Sequence, residues 1–115
     1  MEDNKTVVSD LKKIVKDFVD EREWGQFHNP KNLSMSIAIE SAELMELFQW
    51  LTEKKSKEAM LTGNLRDHAI DEIADVLIYT IAFCNENNID IKRAVDRKMK
   101  KNKLKYPVKK FKGRF

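Results

Sequence analysis

Two long apolar stretches decide the fold. They are LSMSIAIESAELMELFQWLT, residues 33–52, and LRDHAIDEIADVLIYTIAFCNEN, residues 65–87. Written as helices, both are apolar around most of their circumference, a pattern typical of helices that are buried on several sides. Asn64 precedes the second stretch and is a favourable N-terminal cap. The sequence therefore predicts two core helices that pack against each other.

Two further helices flank this pair. Residues 6–21 carry apolar side chains at helical spacing, with Thr6 as the N-terminal cap, and Asp90 caps a helix that runs to about Lys105, before Tyr106 and Pro107. Residues 22–32 predict an ordered loop, residues 53–63 a polar connection and residues 108–115 an extended basic tail. We therefore expect an all-α bundle of about four helices.

The charge is divided unevenly along the chain. The 22 basic and 19 acidic residues give a net charge of +3. Residues 1–91 contain 10 basic and 18 acidic side chains, whereas residues 92–115 contain 12 basic side chains and one acid, Asp96. Such a split fits a basic tail that binds nucleic acid or a membrane. It equally fits an acidic metal-binding body whose tail supplies cations to a polyanionic ligand.

The cysteine content and the start of the chain exclude several classes of protein. Cys84 is the only cysteine, so an internal disulfide and a cysteine-based zinc cluster are ruled out. The N-terminal region has no apolar run of the kind found in secretory signal peptides or membrane spans. We therefore expect a cytoplasmic protein.

Four carboxylates are prominent on the two core stretches. Glu40 and Glu43 lie three residues apart on the first, and Glu72 and Asp75 lie three apart on the second, so each pair projects from one helical face. The first stretch contains no Lys or Arg that would neutralise its acids. Because buried acids without a counter-charge are costly, we expect a divalent cation, and oxygen ligands favour Mg²⁺ or Mn²⁺.

Two other interpretations of these acids remain open. A single E-x-x-E motif in a charged protein belongs most often to the solvated face of an amphipathic helix. A di-iron bundle is the second possibility, but it uses Glu-x-x-His pairs, and neither His28 nor His68 lies three residues after a Glu. Because two acidic pairs lie on the two most apolar helices, we favour the metal site.

Aromatic side chains accompany the acids. Trp50 follows Glu43, and Tyr79 follows Glu72, by seven residues, which is about 20° around a helix and about 10 Å along it. In antiparallel helices the two rings fall at opposite ends of the acid site, so that one subunit supplies only part of each wall. Both rings also fit an ordinary core.

Two other groups of side chains are candidates for ligand contacts. The loop before the first core stretch carries an aromatic ring and an imidazole, which can contact a nucleobase or cover the end of the core. On the fourth helix, one stripe at positions i, i+4 and i+7 can face a polyanionic ligand, while the other basic side chains are solvated. These candidates are Trp24 and His28 in the loop, and Lys98, Asn102 and Lys105 on the stripe.

The acidic motifs resemble those of a known family. ESAE at 40–43, followed after 28 residues by EIAD at 72–75, is similar to the E-x-x-E…E-x-x-D signature of the MazG-like all-α nucleoside triphosphate pyrophosphohydrolases. Together with four further segments, the motifs resemble the dCTP pyrophosphatase branch from about residue 10 to residue 107. These segments are REWGQFHNPKNL at 22–33, ELMELFQW at 43–50, DVLIY at 75–79 and KMKKNKLKYP at 98–107.

The resemblance implies an activity and a site. The activity is Mg²⁺-dependent hydrolysis, with Mn²⁺ as a possible substitute, of a nucleoside triphosphate such as dCTP or a related pyrimidine deoxynucleotide to the monophosphate and pyrophosphate. The implied assembly is a homodimer or a dimer of dimers, with a catalytic domain at residues 1–107 and a basic tail at 108–115. The implied site residues are Glu40, Glu43, Glu72 and Asp75 for the metal, with Glu43 or Glu72 catalytic, and Trp24, His28, Asn32, Trp50, Tyr79, Lys98, Asn102 and Lys105 for the substrate.

The alternative is a non-catalytic helical module that binds a nucleotide or nucleic acid through its basic C-terminal region. Four aligned acids argue against it, because carboxylates repel a polyanion unless a metal ion is present. We therefore expect a small nucleotide as the ligand, and we expect neither nucleic acid nor a membrane as a partner.

Overall fold

The computed structural model describes all 115 residues. They form helices joined by turns and short connections, with no strands. Short 3₁₀ helices at Glu2–Asn4 and Trp24–Phe27 precede the first and second of six α-helices. The α-helices are α1 (Val8–Glu21), α2 (Pro30–Glu46), α3 (Glu53–Ala59), α4 (Asn64–Glu86), α5 (Ile91–Lys105) and α6 (Val108–Phe111). The all-α class predicted from the sequence is confirmed, but the chain has six α-helices where about four were predicted.

The core lies where three helices meet. α2 and α4 pack along each other over the longest contact in the chain, and α1 packs against α4. Leu33 of α2 is 1% exposed and is the most completely buried large side chain. The buried cluster consists of Val15, Val19, Leu33, Ile81 and Ala82. The prediction that the two apolar stretches form the core pair is therefore confirmed.

α2 begins three residues before the predicted start. The Asn29 side-chain oxygen accepts a hydrogen bond from the Asn32 backbone N–H at 2.9 Å, and Pro30 occupies the first helical position. An Asn cap followed by Pro is a favourable helix start, because the cap satisfies a free N–H and Pro has none to satisfy. The residues assigned to the end of the loop therefore belong to the helix.

The other N-terminal caps differ in part from the prediction. Val7, rather than Thr6, is the N-cap of α1, and its N–H donates to the Asp10 carboxylate at 3.2 Å. Gly63, rather than Asn64, is the N-cap of α4, with a φ of 95° that favours glycine. The predicted Asp90 cap of α5 is confirmed, because its carboxylate accepts the Arg93 N–H at 2.9 Å.

The prediction that the first core helix runs to Thr52 is wrong. α2 ends at Glu46, and residues 47–50 form turns. Thr52 is extended and accepts a hydrogen bond from the Lys55 N–H at 3.2 Å, so it starts α3 instead of continuing α2. The stretch predicted as a polar connection therefore contains a short helix.

The end of the chain is helical where an extended tail was predicted. α5 ends at Lys105, as expected from Tyr106 and Pro107, but Pro107 then caps the single turn of α6. The Tyr106 and Phe111 rings meet edge to face with 5.2 Å between their centroids. This aromatic contact stabilises α6 against the end of α5.

One chain leaves much of its apolar surface exposed. Only 6 of 115 residues are buried, and the accessible surface is 9846 Å², whereas a compact monomer of this mass exposes about 6,500 Å². The radius of gyration is 17.1 Å, compared with about 13 Å for a compact domain of this length. The expectation that the first core helix is buried on several sides is therefore not met within a single chain.

α5 accounts for part of this open shape. Ile91 packs against the core, but every residue from 92 to 105 is exposed except the half-buried Asn102. α5 makes no extended contact with another helix. No helix of the chain combines the length and the apolar character that a membrane crossing requires.

The core assignment predicts a difference between two leucines. Leu33→Ala should lower the free energy of unfolding by about 2–5 kcal/mol, because it empties a buried site. Leu61→Ala removes the same atoms from a side chain that is 74% exposed, so its effect should stay within about 0.5 kcal/mol. Urea unfolding at one fixed protein concentration measures both. Equal losses in the two variants would contradict the assigned core.

Candidate active site

The α2–α4 contact brings acidic side chains together. One carboxylate oxygen from each of Glu40, Glu43 and Glu72 lies within 4.8 Å of the other two. Glu40 and Glu72 are half-buried and Glu43 is exposed. The structure therefore juxtaposes three of the four predicted metal ligands.

The acid cluster lacks internal compensation. One oxygen of Glu40 and one of Glu72 are buried without any hydrogen-bond partner, and no Lys or Arg forms an ion pair with the cluster. Buried carboxylate oxygens normally receive a donor or bind a cation. This donor set, which consists of oxygens only, fits a hard divalent cation.

The pKa values of the cluster reflect this environment. Burial, followed by the adjacent Glu43 carboxyl, raises the pKa of Glu40 to about 6. The same two causes raise the pKa of Glu72. Both shifts favour the protonated form, because burial and the neighbouring negative charges both oppose ionisation. A bound cation would reverse this preference.

Asp75 connects the acid cluster to an adjacent cavity. Its negative charge contributes to the raised pKa of both Glu40 and Glu72. Asp75 also lines a largely apolar cavity of about 300 Å³. Three residues at helical spacing after Glu72 also line that cavity, namely Asp75, Tyr79 and Ala82. One face of α4 therefore carries both the acid Glu72 and part of the cavity wall.

The cavity lies between α1, α4 and the loop that joins α1 to α2. Its wall includes three of the side chains predicted to contact the substrate, Trp24, His28 and Tyr79. The Nδ1 atom of His28 is buried and has no hydrogen-bond partner in the chain. The cavity therefore offers aromatic faces, and His28 and Asp75 bring polar side chains to its wall.

The loop is held by its own hydrogen bonds. The Asn32 side-chain N–H donates to the Phe27 carbonyl at 3.0 Å, and the His28 backbone N–H donates to the Gly25 carbonyl at 3.1 Å. The family resemblance implied that Asn32 contacts the substrate. Its hydrogen bonds within the chain belong to the loop.

α1 is fastened to the end of α4 beside the cavity. The Asn85 side-chain N–H donates to the Lys12 carbonyl at 3.0 Å, and the Lys12 ammonium donates to the Ile89 carbonyl at 2.8 Å. Both contacts join residues more than 70 positions apart in sequence. They hold the α1 wall of the cavity against the α4 wall.

Other predicted site residues lie apart from this cavity in one chain. Trp50 is 88% exposed in the turns after α2, so the seven-residue helical relation to Glu43 used to place it does not hold. Lys98, Asn102 and Lys105 lie on the protruding α5, and none of the three lines the cavity. The Lys105 ammonium lies 5.3 Å from the centre of the Tyr106 ring.

Sequence reasoning missed much of the apolar wall. Ile14, Phe18 and Ile78 line the cavity and contribute to its apolar surface. Their helical spacing marked them as core residues, because a cavity wall and a core face carry the same pattern. One local signal was available for Phe18. Arg22 follows it by four residues, a spacing that allows the two side chains to contact each other on a helix.

Comparisons with known proteins identify the family of the chain. The profile of the MazG-like family matches residues 35–114. The dCTP pyrophosphatase 1 proteins of Rattus norvegicus and Homo sapiens are 37% and 36% identical to the chain over 101 residues. The alignments cover 88% of this chain and 59% of each relative, so the chain spans about three fifths of the length of these relatives.

A solved structure also supports the family assignment. The crystal structure of a pyrophosphatase from Archaeoglobus fulgidus superimposes with a TM-score of 0.80 at 43% sequence identity. The match covers 86% of this chain and 91% of the other. The resemblance noted in the acidic motifs is thus confirmed over most of the chain, which belongs to the MazG-like family.

Proposed function

We propose that this chain is a divalent-metal-dependent nucleoside triphosphate pyrophosphohydrolase. The observation that carries the proposal is an acid cluster with unpartnered oxygens that shares Asp75 with an aromatic cavity. The substrate is a nucleoside triphosphate, dCTP or a related pyrimidine deoxynucleotide, in keeping with the named activities of the relatives. We assign the activity to residues 1–107, outside the basic tail, and place the protein in the cytoplasm.

The chain's carboxylates hold the metal. Glu40, Glu43, Glu72 and Asp75 are the ligands, and Mg²⁺ is the proposed ion, with Mn²⁺ as a substitute. When bound, the metal supplies positive charge against the phosphate oxygens and acidifies a coordinated water. The two buried oxygens that lack donors support this assignment.

One of two carboxylates acts as the general base for the attacking water. Glu43 or Glu72 accepts a proton from the attacking water, whose oxygen bonds to the α-phosphorus. The bond between that phosphorus and the oxygen bridging to the β-phosphorus breaks. The products are the nucleoside monophosphate and pyrophosphate.

The cavity binds the base. Trp24 and Tyr79 offer their rings for stacking, and the His28 imidazole, which also lines the cavity, forms a hydrogen bond to the base edge. Asn32 holds the loop that carries Trp24 and His28. Asp75 belongs both to the proposed metal site and to the cavity wall. A base in the cavity therefore lies next to the metal ligands, as hydrolysis at the α-phosphorus requires.

Self-association completes the site. The chain exposes about 3,300 Å² more than a compact monomer of its mass, and obligate interfaces bury 2,000–5,000 Å² or more. In a dimer or dimer of dimers, the exposed Trp50 and the stripe of Lys98, Asn102 and Lys105 serve a neighbouring copy's site. The stripe then binds the phosphates of the leaving group.

The proposal is tested with a substrate panel. The purified chain is incubated with Mg²⁺ and each standard NTP and dNTP, together with 5-methyl-dCTP, and the monophosphate and pyrophosphate are quantified. Equimolar monophosphate and pyrophosphate, with preference for pyrimidine deoxynucleotides, is expected. Release of inorganic phosphate instead, or no turnover with any nucleotide, would reject the proposed reaction.

The metal assignment predicts a contrast between two neighbouring acids. Glu72→Gln should lower kcat at least 100-fold, because the amide keeps the shape and loses the charge that binds the metal. Asp71→Asn changes the adjacent, exposed acid of the same helix and should leave kcat within twofold. Circular dichroism confirms equal helicity. Full activity in Glu72→Gln would remove this residue from the site.

The raised pKa of Glu40 predicts a pH dependence of stability. The folded pKa of about 6 lies above the ordinary value of 4.5, so the folded state binds the proton more tightly and loses stability as the pH rises from about 4.5 to about 6. With EDTA present, the Tm of the parent should fall over this window relative to that of Glu40→Gln. Adding Mg²⁺ at pH 7 should raise the parental Tm more than that of the variant. Parallel Tm curves would contradict the prediction.

The proposed self-association predicts that an exposed leucine of α4 lies in an interface. Leu77 is 54% exposed and follows the exposed Ile70 and Ile73 on α4. Leu77→Glu should weaken association at least tenfold by sedimentation velocity, because a charge would be buried between copies. Leu61→Glu, at an isolated exposed leucine, should leave association unchanged. A monomeric parent at micromolar concentration would refute the assembly.

A further inference from the structure

Three side chains at and just after the end of α1 contact one another in series beside the cavity, and we call them the array. The Arg22 guanidinium lies 3.7 Å from the centre of the Phe18 ring, and one of its N–H groups donates to the Phe18 carbonyl at 3.1 Å. The Phe18 ring meets Trp24 edge to face, with 5.5 Å between the centroids and 77° between the planes. Phe18 and Trp24 line the cavity, whereas Arg22 does not.

The backbone brings Trp24 back over α1. Glu23 adopts a left-handed conformation with a φ of 54°, directly between Arg22 and the 3₁₀ helix that begins at Trp24. This residue reverses the chain, so that the Trp24 ring returns to Phe18. Phe18 is the one aromatic ring that packs on Trp24.

The array restrains Trp24 through two contacts in series. A guanidinium over an aromatic face is attracted by the ring quadrupole, and an edge-to-face pair is favoured over random ring orientations. The hydrogen bond to the Phe18 carbonyl fixes the guanidinium on the same residue whose ring it covers. Trp24 itself is 41% exposed, so burial alone does not fix its orientation.

We infer that Arg22 is a positioning residue that acts through Phe18 to set the Trp24 ring as a wall of the base pocket. The inference rests on the proposed function, because it gives the cavity a nucleotide base as its ligand. Arg22 touches neither the cavity nor the acid cluster, and its effect therefore falls on substrate binding rather than on the chemical step.

The experiment compares two variants with a matched control. Arg22→Met keeps the length of the side chain and loses the cation, and Phe18→Leu removes the ring that joins Arg22 to Trp24. Lys13→Met removes a cation of α1 that pairs with Asp17 and contacts no aromatic ring. KM and kcat are measured with the best substrate of the panel.

A second measurement needs no nucleotide. In a Trp50→Phe background, Trp24 is the only tryptophan, so fluorescence anisotropy reports the mobility of its ring. Each array variant and the control are compared with this parent in the absence of substrate. Failure of the panel would refute the proposed function, whereas the anisotropy still tests the restraint on Trp24.

The array predicts a split between the kinetic constants. Arg22→Met should raise KM about two- to five-fold, the size of an exposed cation–π contact, with kcat within twofold, and should lower the Trp24 anisotropy. Phe18→Leu should change both quantities further in the same directions, and Lys13→Met should change neither. Unchanged anisotropy, a normal KM despite lower anisotropy, or a fall in kcat alone would each overturn the inference.

Discussion

The rest of the structure depends on the crowding of carboxylates where α2 and α4 meet. Glu40, Glu43 and Glu72 bring oxygens within 4.8 Å of one another, and two of these side chains have a buried oxygen without a donor. Like charges at this separation oppose both ionisation and packing. The longest helix contact in the chain therefore carries a cost that an apolar seam would not have. The proposed cation removes that cost, so packing of the core and assembly of the site are one event.

Because acidic side chains occupy part of the α2–α4 contact, too little apolar contact remains for a compact monomer. The buried cluster is confined to five side chains, while Ile70, Ile73 and Leu77 of α4 remain exposed. A helix that is apolar on several faces needs several neighbours. One chain supplies α1 and α2, and a second copy is the proposed source of the remainder. In this view the open shape and the exposure of α5 have the same origin as the acid cluster.

The sequence predicted the elements better than their boundaries. Apolar periodicity located the core helices, and the paired acids, three residues apart on each, pointed to the α2–α4 cluster. The end of α2 was missed because residues 47–51 are apolar apart from Gln49, and only the competing Thr52 cap distinguishes a turn from a continuing helix. That error carried Trp50 onto a helical face that it does not occupy. The cavity was missed in part because the spacing of Phe18 is the same whether the ring faces a core or a ligand.

The path along α4 explains how a single helix can link recognition to chemistry. Glu72 belongs to the acid cluster, Asp75 acts on that cluster and lines the cavity, and Tyr79 lies deeper along the cavity wall. Seven residues of helix separate the two ends by about 10 Å. In the proposed site, a base held beside Tyr79 would have its phosphates directed along a rigid helix. The loop supplies another part of the cavity wall at Trp24. In the proposed site, α4 would set the spacing between the base and the acids, and the contacts at the end of α1 would set the fit around the base.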